Sequence, residues 1–100
     1  MQITEERTDH VVTLVISGRI DVNASATLEE ELMKWIPAQV IKAIVLDLSA
    51  VDYISSAGIR VLLSAQKKKK DDHEFIIKNP SKFCRQVFEV TGADIFLKIL

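Results

Sequence analysis

The sequence predicts an α/β fold: a small, mixed, mostly parallel β-sheet with helices packed mainly on one face. Three observations carry this expectation. Apolar runs rich in β-branched residues alternate with segments of helical periodicity, the pattern of parallel strands joined by crossover helices. The run AIVL, Ala43 to Leu46, is continuously apolar, as suits a strand covered on both sides. Two strand-like segments come first with no helix between them, which implies an antiparallel start. At 100 residues, the chain has room for one domain spanning all of it, and too little for two.

The elements follow in order. MQITEE reads as an edge strand, and VVTLVIS (Val11 to Ser17) as its β-branched neighbour. NASATLEEELMKWI (Asn23 to Ile36) reads as a helix: Leu28, Leu32 and Trp35 share one face, Glu29 and Glu30 face water, and Pro37 follows the end. IKAIVLDLS (Ile41 to Ser49) is expected to be the central strand. AGIRVLLSAQKKKK (Ala57 to Lys70) places Ile59, Leu62, Leu63 and Gln66 at helical spacing, and Gln66 alone is polar among them. EFIIK (Glu74 to Lys78) is a short strand. In NPSKFCRQVFEVTG, Asn79 can cap a helix, Pro80 suits the first helical position and Gly92 suits the stop. Phe83, Val87 and Val90 are expected to form its stripe, and Phe83, Phe88 and Phe96 to be core. IFLKIL fits either a last strand or a short terminal helix.

Composition narrows the function. An apolar fraction of 48% is ample for one core without disulfides. The single cysteine, Cys84, can form none within the chain, in keeping with a reducing compartment, and reads as a small core or flank residue. A net charge of −1 argues against nucleic-acid binding, which needs a basic face. No segment reaches the length of about 18 apolar residues that spans a membrane, so no membrane insertion is expected. The N-terminus is charged and lacks the apolar core of a signal peptide, so the expected localisation is cytoplasmic. His10 and His73 lie far apart, without metal-ligand spacing, and neither a metal nor a cofactor is expected. Neither a nucleophile elbow nor a Walker loop is present, so an enzyme is not expected and any ATP would belong to a partner. The lysines Lys67 to Lys70 read as a helix C-terminus, with cations against the negative end of the dipole.

The stretch DLSAVDYISSAGIRVLL, Asp47 to Leu63, carries the chemistry. An N-cap at Ser55 makes Ile54 and Ile59 a hydrophobic staple, and the Ser55 hydroxyl can accept a backbone N–H of the first turn. Ser56 then becomes the first helical residue and its hydroxyl has no structural duty. Gly58, a poor helix former, suggests that something approaches that backbone closely. Two readings stand. Both serines serve as caps, or Ser56 is held out for modification at the positive end of a helix, which tolerates a phosphate.

VLDLSAVDYISSAGIRVLL resembles the signature of STAS domains, specifically of the anti-sigma factor antagonists. SGRIDVNASATLEEEL is similar to the family's Gly-x-x-Asp turn and first helix, and IIKNPSKFCRQVFEVTGADIFLKI to its closing strand, helix and glycine, so the resemblance covers essentially the whole chain. It implies the STAS fold and a regulator whose unmodified form binds an anti-sigma factor, frees a sigma factor, and is switched off by phosphorylation. The anti-sigma factor would itself be an ATP-dependent serine kinase, and a phosphoserine phosphatase would reverse the modification. The serine two residues before the motif's glycine is Ser56, with Ser55 as the alternative. The Gly-x-x-Asp turn maps onto Gly18, Arg19, Ile20 and Asp21, which brings Asp21 near the phosphorylation site. The implied partner surface is Asp21, Asn23, Ser55, Ser56, Ala57, Gly58 and Arg60, on a monomer or weak dimer. The sequence departs from the pattern at Ser55, where many members have Asp, and in the KKKKDDHEF turn, which lacks the usual glycines. The alternative function is a stand-alone STAS subunit of a transporter or larger signalling assembly, acting as a structural interaction module.

Overall fold

Spatial order follows sequence order in the one sheet, β1-β2-β3-β4-β5. The computed structural model describes residues 1–100. The strands are β1 (Gln2–Thr8), β2 (Val11–Ile20), β3 (Ala43–Ile54), β4 (Glu74–Lys78) and β5 (Lys98–Ile99). β1 and β2 are antiparallel and every later pair is parallel. The antiparallel pair needs only a turn at Asp9 and His10, where Asp9 adopts φ 46°. Each parallel step needs a crossover. Helices α1 (Val22–Trp35), α2 (Ser56–Lys68) and α3 (Lys82–Thr91) supply them, and a 3₁₀ turn at Ala93–Ile95 leads into β5.

Right-handed crossovers that add each strand on the same side put their helices on the same face. Burial records the result. Val12, Leu14 and Ile16 of β2 are fully buried, whereas Val11, Thr13 and Val15 between them are half-buried. One cluster of 23 buried residues joins the covered face to Leu28 and Leu32 of α1, Leu62 of α2, and Cys84 and Phe88 of α3. β3 is central, as expected, and runs on to Ile54. Its apolar run, however, is covered fully on one side only: Ile44 and Leu46 are buried, Ala43 and Val45 half-buried. The segment Gly18 to Ile20, expected as a turn, continues β2. Gly18 takes φ 91° beside the register shifts that bend the β2–β3 pairing.

α1 starts one residue before the expected Asn23, because Asp21 caps it. Trp35 is half-buried, with the Arg7 guanidinium 5.8 Å from its ring. The buried face of α2 is turned from the expected one: Val61 and Ala65 join Ile59 and Leu62, while Leu63 and Gln66 are only half-buried at its edge. The last segment resolves in favour of a strand, the short β5.

α3 corrects three expectations. Its cap is Ser81 rather than Asn79, with the Cys84 N–H donating to Ser81 Oγ at 3.2 Å. Asn79 instead turns the chain at φ 51°, its N–H given to the Leu100 carbonyl, and Pro80 precedes the helix. The docking stripe is Cys84, Val87 and Phe88, at the i, i+3, i+4 spacing of one helix face. Phe83 and Val90 lie beside that stripe at 37% and 87% exposure, and Phe96 at 67% is not core either. Cys84 is core, and burial pushes its thiol pKa up. Gly92, at φ 76°, stops the helix as expected.

Candidate functional site

The parallel register of β2 and β3 sets Ile20 opposite Ile54. Both strands end there, so the two helices that follow begin side by side. The Ser55 N–H donates to the Ile20 carbonyl at 2.8 Å and ties the two exits together. On one side Asp21 caps α1, its Oδ1 accepting the Ala24 N–H at 2.8 Å. On the other Ser55 caps α2, its Oγ accepting the Gly58 N–H at 3.1 Å. The carboxyl ends of parallel strands are where open α/β sheets place their ligands.

The paired exits bring the sequence-predicted residues of both helices together. Asp21 and Asn23 are exposed on α1, and Ser56 and Arg60 on α2, with Ala57 half-buried. Ser55 is 7% exposed and engaged as a cap. Ser56 is the first helical residue, and its hydroxyl makes no hydrogen bond to the chain. No acidic side chain occupies the first turn of α2, so its N–H dipoles face solvent uncompensated from within the helix. Arg60 follows Ser56 at i+4, the spacing of neighbours on a helix surface, and forms no ion pair.

Gly58 is different in kind. It is buried, and a Cβ there would meet Ile54 Cγ1 at 2.8 Å and Ile20 Cγ2 at 3.0 Å. The close approach inferred from this glycine is therefore made by the chain's own core. It seats the first turn of α2 directly on the ends of β2 and β3, and so fixes the height at which Ser56 stands. Ile54 and Ile59, the expected staple, are both in that core.

Sequence reasoning missed four neighbours of this site. Val22, the first residue of α1, is 67% exposed between Asp21 and Asn23. Arg19 and Tyr53 face each other across β2 and β3, with the guanidinium 4.2 Å from the ring centroid, and Phe83 packs on Tyr53 at 5.6 Å between centroids. No local pattern marks that stack, which only the register creates. An exposed valine where an apolar face has not yet begun was the one available signal for Val22. Elsewhere His10 Nδ1 meets the Val40 carbonyl at 2.9 Å and His73 Nε2 lies 3.7 Å from Asp72. No group of three or more His, Cys, Asp or Glu comes together. No helix is long and apolar enough to cross a membrane.

A five-stranded α/β sheet with two capped helix N-termini at its strand exits, one presenting an unengaged serine, defines a small α/β interaction module. Residues 2–99 match the profile of the STAS domain, and the chain belongs to that family. It is 35% identical over 96 residues to BtrV of Bordetella bronchiseptica, spanning 92% of this chain and 79% of that protein. To the anti-sigma-F factor antagonist RsfB of Mycobacterium tuberculosis it is 32% identical over 94 residues, spanning 92% and 76%. Among solved structures, an anti-sigma factor antagonist from Mycobacterium paratuberculosis superposes with a TM-score of 0.88 at 26% identity, covering 98% of this chain and 83% of that one.

Proposed function

We propose that this protein is an anti-sigma factor antagonist of the cytoplasm, a binding regulator rather than an enzyme. Its unmodified form docks on an anti-sigma factor through the paired N-termini of α1 and α2 and so frees a sigma factor. The partner is also a serine kinase that supplies the ATP site. It phosphorylates Ser56 and is then released, and a phosphoserine phosphatase resets the cycle. The observation that carries this reading is the environment of Ser56: exposed, first in its helix, and relieved of capping duty by Ser55. The name of the mycobacterial relative supports an anti-sigma factor as the partner.

The physics of the switch is local. Phosphate brings about −1.5 to −2 charges at pH 7. Free N–H groups at the start of α2 suit an anion, so the free protein tolerates it. In the complex the same charge must be desolvated, at a cost of several kcal/mol where no cation matches it. The test has two stages. Candidate partner kinases are incubated with ATP and the protein, and mass spectrometry should place one phosphate on Ser56 and none on Ser56→Ala. Calorimetry against the same partner should then show phospho-Ser56 binding at least about tenfold more weakly, near 1.4 kcal/mol. Equal affinities would defeat the charge switch and leave a structural STAS module. Phosphate on Ser55 instead would reassign the acceptor.

A further inference from the structure

The end of α2 remote from Ser56 carries a feature that the switch does not use. Gln66, half-buried at the edge of the apolar face of that helix, has its Oε1 buried with no hydrogen-bond partner. Such an acceptor is held at a cost in the free chain, and a turn of the Gln66 side chain into the groove it lines would bring it to a bound donor. Beside it opens a groove of about 430 Å³ lined by Leu63, Gln66, Lys67 and Phe96. Phe96 is 67% exposed, and its neighbour Ile95, on the 3₁₀ turn, 79%. Large apolar side chains standing out beside a concavity mark a contact surface. Among the lining residues the only charge is the Lys67 ammonium, which pairs with no carboxylate. Lys70, also exposed, adds positive charge at the same end of α2, whereas Lys68 lines a separate groove against α1.

We propose that this groove docks an acidic amphipathic helix of a partner protein. Its apolar face lies against Leu63 and Phe96, a side-chain N–H or O–H donates to Gln66 Oε1 as that side chain turns into the groove, and carboxylates along its edge meet Lys67 and Lys70. An open groove with four lining residues would bury little of a small molecule, whereas a helix spans it and continues over Ile95. Charge complementarity selects an acidic partner over a basic one. Gln66 lies ten residues beyond Ser56, about 15 Å along the helix axis. That exceeds the Debye length of about 8 Å at physiological ionic strength, so the groove is not gated by charge at Ser56. It is a second docking surface, independent of the reading given to the serine.

The test uses the full chain and defined probes. One is a synthetic helical peptide with leucines on one face, glutamates on the other and a glutamine at the boundary. The other is the same peptide with every glutamate replaced by lysine. Amide shift mapping with the acidic peptide should centre on Leu63, Gln66, Lys67 and Phe96, and the basic peptide should bind at least tenfold more weakly. Lys67→Glu and Phe96→Ser should each lower affinity for the acidic peptide at least tenfold. Both side chains are exposed, so the urea midpoints of the variants should match the parent. Ser56→Asp should leave the affinity unchanged. Shifts elsewhere, equal affinity for the two peptides, or no binding would overturn the proposal. So would concentration-dependent self-association, by sedimentation velocity, that covers the same residues, since the occupant would then be a second copy.

Discussion

Ser55 and Ser56 are adjacent in sequence and opposite in environment, and that contrast is measurable. Ser55 is buried and its hydroxyl holds the Gly58 N–H, so Ser55→Ala should cost about 1 kcal/mol in urea unfolding. Ser56→Ala removes an exposed hydroxyl without a partner and should leave the midpoint almost unchanged. The reverse order would exchange their roles. Gly58→Ala is the sharper probe. Alanine gains roughly 1 kcal/mol of helix propensity, yet its methyl must push Ile54 and Ile20, two buried β-branched side chains. Overpacking of this kind costs typically 1–3 kcal/mol. The variant should be less stable than the parent, and a rise in midpoint would show that α2 does not rest on those isoleucines. The cap was legible from sequence because capping chemistry is local. What presses on Gly58 was not, because Ile20 reaches it only through the pairing of two strands far apart in the chain.

At the scale of elements, α3 shows where reading stops. Its existence, its glycine stop and its approximate span followed from composition. Its face did not. The cue of Asn79 and Pro80 points to an early start, but Asn79 is used to turn the chain and Ser81 takes the cap. Counting Cys84 as apolar would have given the i, i+3, i+4 face that docks, leaving Phe83 free to pack on Tyr53. The buried thiol offers a test of that face. Cys84 is fully buried, so alkylation by iodoacetamide should be slow in the folded chain and rise in step with loss of helical circular dichroism in urea. Burial raises its folded pKa above the ordinary value of about 8.5. In the unfolded chain the thiol ionises there while the folded thiol keeps its proton. Its contribution to stability is therefore complete below that pH and is lost as pH rises through the folded pKa. The stability difference between the parent and Cys84→Ala should narrow in alkaline solution. Rapid alkylation without unfolding would place Cys84 outside the core.

For the whole molecule, the sequential strand order has a consequence that no single element contains. Every crossover returns on the same side, so the sheet has one face under helices and one left half-covered. Val11 and Val12 sit next to each other in β2 and point to opposite faces. Val12 is fully buried in the cluster of 23, and Val11 is half-buried. The same substitution at both sites therefore isolates the difference between the faces, because the change in strand propensity and unfolded chain is nearly common to the two. Val12→Ala removes two methyl groups from a closed core and should cost about 2 kcal/mol or more, the transfer term plus a cavity. Val11→Ala opens no closed cavity, because solvent already reaches the site, and should cost less than about 1 kcal/mol. Urea unfolding with an unchanged denaturant slope is the proper measure, since a common slope shows that both variants lose the same folded structure. Equal costs at the two positions would mean that both faces of the sheet are closed in solution, and the half-covered face would then have to be buried against something else, a second copy of the chain first among the candidates.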